Sequence, residues 1–82
     1  MFPTLTPFEF IAWTKSDTNP LAYNGLVKNC RAIFVGTAGD LVLQNGLGDK
    51  VTFKNVPNAT TIWVSAAYVM ADTTASNLVA LF

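Results

Sequence analysis

The apolar positions of this chain come in short bursts, and where a burst has a period, the period is two. In residues 50–54, KVTFK, Val51 and Phe53 alternate with Lys50, Thr52 and Lys54. A strand there turns the first pair inward and the three polar residues outward. Other runs also read as strands: residues 30–35 (CRAIFV), 41–44 (LVLQ), 61–70 (TIWVSAAYVM) and 77–82 (NLVALF), with a further one at 8–13 (FEFIAW). A helix over 61–71 is the one competing reading, through SAAYVMA. Ile62, Trp63 and Val64 at its start favour strand.

Turn chemistry separates the runs. Residues 14–29 are rich in Ser, Asp, Asn, Pro and Gly and read as loop. GTAGD (36–40) and NGLGD (45–49) offer Gly36, Gly39, Gly46 and Gly48 for the positive φ of tight hairpins. NVPNAT (55–60) holds Pro57, which fixes φ and cannot donate to a ladder. Strands joined so briefly are expected to be antiparallel neighbours. The expected fold is therefore all-β, a small antiparallel sandwich or barrel of about six short strands, in one domain over residues 1–82.

Composition adds a constraint. Of 82 residues, 51% are hydrophobic and 12% charged, against about 25% charged in ordinary soluble domains. On the usual scaling such a chain buries roughly 8,000 Å² on folding. With about 60% of that apolar, burial contributes about 120 kcal/mol. Ordering the residues at about 1.5 kcal/mol each costs about the same. Domains this thin rely on disulfides, metals or oligomerisation. The chain has one cysteine, Cys30, and no histidine, so neither an internal disulfide nor a zinc site is expected. Self-association is. Two ring neighbours, each covering about 800 Å², would hide much of the apolar excess.

Catalytic chemistry finds little to work with. The commonest general base is missing. Cys30 has only Arg31 beside it, on the opposite face of a strand, and reads as a core residue. The acids are Glu9, Asp17, Asp40, Asp49 and Asp72, four of them expected in turns. No enzyme activity, cofactor or metal is expected. Gly36-Thr37-Ala38-Gly39 is followed by a strand rather than a helix and lacks the P-loop Lys-Ser/Thr pair, so it is not a phosphate cradle. Net charge is zero, and Lys15, Lys28, Arg31, Lys50 and Lys54 are dispersed, so no nucleic-acid partner is expected. The longest apolar run, residues 62–71, is about half of a membrane span. The start, MFPTLTPFEF, lacks the basic region of a signal peptide, and a lone cysteine suits synthesis inside a cell. Asn58-Ala59-Thr60 matches a glycosylation sequon, which has no use in that setting.

Trp13 and Trp63 are either core fillers or interface anchors. Val79, Leu81 and Phe82 leave no polar tail, so the last strand docks in the core or on a neighbour.

Four pieces, SDTNPL (16–21), CRAIFVGTAGDL (30–41), VTFKNVPNAT (51–60) and TTASNLVALF (73–82), in this order and spacing resemble the small spike-base proteins of tailed phages and phage-like gene transfer agents. The resemblance implies a small β protein of the capsid surface, made in the host cytoplasm. It would assemble as a homopentamer at five-fold vertices, between the major capsid protein and a spike or fibre. On that reading Phe2, Pro3, Trp13, Trp63, Leu81 and Phe82 are the interface candidates. Residues 1–7, kept extended by two prolines, would be an arm to the capsid or to another copy. A capsid cement or decoration protein, a neck or tail adaptor, and a small carbohydrate-binding β module are the alternatives.

Overall fold

The computed structural model describes residues 10–23 and 25–82. The strands among them are β1 Phe10–Trp13, β2 Ala22–Tyr23, β3 Leu26–Val27, β4 Ala32–Thr37, β5 Gly39–Gln44, β6 Lys50–Val56, β7 Thr60–Ile62, β8 Tyr68–Val69 and β9 Ser76–Leu81. They form a four-stranded sheet in the order β1-β9-β4-β7, a three-stranded sheet β6-β5-β8 and a two-stranded ribbon β2-β3. Every pairing is antiparallel. The fold is all-β, as expected.

The core lies between the two larger sheets. Register sets Ile33 opposite Ala80 and Val35 opposite Leu78, so these four share one face. They join Leu41, Leu43, Val56 and Val69 of the other sheet in a single buried cluster. Phe82 completes it at 3% exposure, its ring 5.7 Å from that of Tyr23.

The chain passes between sheets at corners, and here the sequence reading needs correction. GTAGD is not a hairpin: β4 and β5, separated by Ala38 alone, belong to different sheets. Gly36 and Gly39 lie inside those strands and have ordinary φ. They are glycines because backbone lies against them. A Cβ on Gly36 would sit 2.8 Å from Asn77, and one on Gly39 only 2.5 Å from the Ala75 nitrogen. Side chains then pin the corner. The Ala38 N–H donates to Asn58 Oδ1 at 2.6 Å, the Asp40 N–H to Thr74 Oγ1 at 2.8 Å, and the Asn55 N–H to Asp40 Oδ1 at 3.0 Å. Asp40, expected in a turn, is thus a strand residue. Thr73, fully buried, takes the Val42 N–H at 3.0 Å and returns its hydroxyl to the Val42 carbonyl at 3.3 Å. NGLGD does make the β5–β6 hairpin, with Gly48 at φ +94°; Gly46 needs no special φ. The link through Pro57 is a second corner, since β6 and β7 also lie in different sheets.

Other boundaries shift for the same reason. The run 61–70 is broken: β7 ends at Ile62, and 63–67 cross to β8 in the other sheet. That crossing gains its backbone bonds from several neighbours, with Cys30 N–H donating to the Ala66 carbonyl and Ala67 N–H to that of Gln44. No part of 61–71 is helical. Cys30 and Arg31 precede β4 rather than opening it, so they are not opposed on a strand. The loop expected over 14–29 contains the β2–β3 ribbon, turning at Gly25 with φ +78°. Val51 and Phe53 do face inward, opposite Leu43 and Leu41, yet Val51 stays 54% exposed on an edge strand.

If close backbone approach is what Gly39 provides, Gly39→Ala costs about 3 kcal/mol of stability, as overpacking does. Gly46→Ala, which meets only the end of the Asn29 side chain at 3.4 Å, changes it by less than about 0.5 kcal/mol. Urea unfolding of the two variants checks this; equal midpoints would remove the explanation.

Candidate interaction surface

The polar side chains of this protein are largely occupied in holding its own backbone. Asp17 Oδ1 accepts from the Ala71 N–H at 2.9 Å, Asp40 from Asn55, and Asp49 Oδ2 from Asn45 Nδ2 at 3.4 Å. Lys15 Nζ donates to the Thr73 carbonyl at 2.6 Å, and Lys28 Nζ lies 5.6 Å from the centre of the Phe82 ring. Among the described residues, no group of three or more His, Cys, Asp or Glu side chains could hold a metal. Cys30 Sγ accepts from the Ala66 N–H at 3.4 Å and donates to the Val64 carbonyl at 3.5 Å. Burial pushes its thiol up from the ordinary 9.0, so it is protonated at neutral pH. It acts as a tie between the start of β4 and the 63–67 crossing.

The surface is where apolar side chains accumulate. Register across the four-stranded sheet sets Phe10, Leu81 and Ala32 in one row, and Ala12, Val79, Phe34 and Thr61 in the next. Both rows lie on the face turned away from the core, because their neighbours Ile33, Val35, Leu78 and Ala80 fill the inner one. No charged residue stands in either row. Phe10 is 68% exposed, and Phe34, Val79 and Leu81 are half-buried. A cavity of about 180 Å³ is lined by apolar Leu43, Val51, Phe53, Val64 and Ala66 and by polar Gln44, Asn45, Asp49 and Ser65. Trp63, 60% exposed, stands next in chain to the lining residue Val64, and Leu47, 90% exposed, lies in the hairpin between the lining residues Asn45 and Asp49.

The interface candidates separate accordingly. Trp63 and Leu81 are on the surface. Phe82 is inside, which settles the docking of the last strand in favour of the chain's own core. Trp13 is half-buried against the core cluster, and its buried indole Nε1 has no hydrogen-bond partner among the described residues. Phe2, Pro3 and the arm 1–7 lie outside the described residues. The sequence reading passed over Phe10, Phe34 and Val79. The signal was there: 30–35 and 77–82 carry apolar residues at both parities, so their strands have two apolar faces and only one core to fill.

In overall structure the chain is similar to one in the solved "Capsid of native GTA particle computed with C5 symmetry". The TM-score is 0.81 and the identity 30%, over 99% of this chain and 92% of that one. No family model matches the chain, and no curated protein matches it.

Burial of Cys30 makes stability depend on alkaline pH. The folded thiol holds its proton above 9.0, where the unfolded thiol releases it. The stabilising contribution is therefore complete below pH 9 and is lost as pH rises toward the folded value. Urea unfolding of Cys30→Ala shows a shallower loss between pH 9 and 10.5 than the parent, by up to about 1.4 kcal/mol per pH unit. Parallel curves would show the thiol to be uncoupled from folding.

Proposed function

Given that this chain belongs to the family of phage-like capsid proteins represented in the gene transfer agent particle, we propose that it is the homo-oligomeric base of a head spike, seated at capsid vertices. Its role is that of a virion structural protein. The observation that supports this reading is the likeness, over nearly the full length of both chains, to a chain of a capsid whose structure was computed with C5 symmetry. The uncharged outer sheet face supports it. A ring places such faces between copies, or against a capsid or spike, where the apolar area leaves water.

In this reading the partners are further copies of the chain, the major capsid protein and a spike or fibre protein. Trp63 and Leu81 serve the contacts between them. The arm 1–7, with Phe2 and Pro3, reaches the capsid or an adjacent copy, and its prolines reduce the entropy lost on docking. The mechanism is binding throughout, and the protein works without catalysis, cofactor or nucleic acid.

Light scattering on a sizing column gives the native mass, and five chains per particle is the expected result. Three or six would point instead to a cement or neck role. A stable monomer whose tryptophan fluorescence is quenched by added sugar would replace the reading with a carbohydrate-binding one. Deletion of residues 1–7 is expected to leave the β-type circular dichroism intact and to reduce decoration of capsids. Full occupancy by the truncated chain would remove the arm from the account.

A further inference from the structure

The two packed sheets treat their edges differently. In the three-stranded sheet, edge strand β6 carries Lys50 and Lys54, a usual guard against further pairing. The other edge, β8, is occupied by the chain that follows β1: the Ser16 N–H donates to the Val69 carbonyl at 2.8 Å. In the four-stranded sheet, β1 and β7 each have one strand partner among the described residues. β1 reads FIAW and β7 reads TTI, with no charge and no proline in either. Phe10 and Ile11 are 68% and 40% exposed, and Trp63, directly after β7, is 60% exposed. Edges of this kind, free of charge and proline, recruit another strand.

Resting on the proposed ring, we infer that β1 of one copy pairs with β7 of the next, so that the four-stranded sheet continues from copy to copy. Strand direction favours a second copy as the occupant. The successive antiparallel pairings β1·β9, β9·β4 and β4·β7 make β1 and β7 run opposite ways. A copy rotated about an axis along the strands therefore brings β7 antiparallel to β1, and the alternation is unbroken. Symmetry favours it too. β1 and β7 are different surfaces at opposite ends of one sheet, and such heterologous contacts close into a ring when the rotation between copies closes, whereas β1 on β1 would stop at a dimer.

Side-chain parity then selects a register. With Ile11 opposite Ile62 of the next copy, Ala12 meets Thr61 and Phe10 meets Trp63. Ile11 and Ile62 both belong to core-side rows, opposite Ala80 and Ile33 respectively. Phe10, Ala12 and Thr61 all belong to outer rows. Inner and outer faces thus run on without a break, and an aromatic pair forms at the seam.

Two variants separate the two halves of the contact. Phe10→Lys with Ala12→Lys spoils β1; Thr61→Lys with Trp63→Lys spoils β7. Circular dichroism and urea unfolding establish that each is folded. Each alone should need at least ~100-fold more protein to assemble, the loss expected for removing interface anchors. Mixed in equal amounts, they should form a dimer and nothing larger, because one intact β1 meets one intact β7. Should either pair of lysines prevent folding, Ala12→Cys with Thr61→Cys replaces the test, and mild oxidation should give a covalent ladder up to the ring. A parent five-copy particle whose variants assemble normally, or which yields no ladder, overturns the pairing and leaves the ring. A parent chain monomeric both in solution and on capsids overturns both.

Discussion

The closeness of Gly39 to the backbone of Thr74 and Ala75 is the constraint on which the remaining structure depends. With no Cβ between them, the segment before β9 lies directly on the start of β5. That contact lets one residue, Ala38, carry the chain from one sheet to the other. Once β4 and β5 are committed to different sheets, the remaining strands have few places to go. β9 enters beside β4 because 73–75 are held on β5, and β8 flanks β5 on the side that β6 leaves open. Thr73 is buried without cost because both its donor and its acceptor are used on Val42. The corner is a polar structure inside an apolar fold, and it works because each of these bonds is made.

A sandwich so short has two sheets but interior for only one pair of faces. β4 and β9 are apolar on both sides, so the four-stranded sheet fills the core with one face and presents Phe10, Phe34, Val79 and Leu81 on the other. The three-stranded sheet meets the same problem differently: residues 70–74 fold back over Val42, which is buried outside the main cluster. One sheet is covered by residues 70–74, while the other, among the described residues, carries half-buried and exposed apolar side chains on its outer face.

The all-β class, the β5–β6 hairpin and the inward face of β6 were legible because each is encoded locally, in period two and in Gly48. The corners were not. GTAGD looks like a hairpin because glycine serves positive φ and close approach equally well, and the second use is visible only when Ala75 and Asn77 arrive from 36 and 41 residues away. The break in 61–70 was hidden for a similar reason: β-rich composition runs through Trp63 and Val64, but geometry requires the chain to change sheets there. Of the interface candidates, Trp63 is exposed and Leu81 half-buried, whereas Phe82 lies in the core. A terminal residue carries no sequence sign that its own core has room for it beside Tyr23.

The distribution of polar and apolar groups argues for the kind of function as much as the resemblance does. An active site gathers under-satisfied polar groups at one place and leaves them poised. Here Asp40, Asn58 and Thr74 are spent on backbone N–H groups at one corner and Asp17 on that of Ala71, and Cys30 is held protonated against the 63–67 crossing. What stays open is of another sort: apolar area on one sheet face and, among the described residues, backbone groups along that sheet's two edges. Water serves the edges adequately and the face poorly, and a neighbouring protein serves both. A chain that spends these polar groups on its own backbone and carries apolar side chains on a sheet face is suited to an assembly such as the capsid in which its structural neighbour stands.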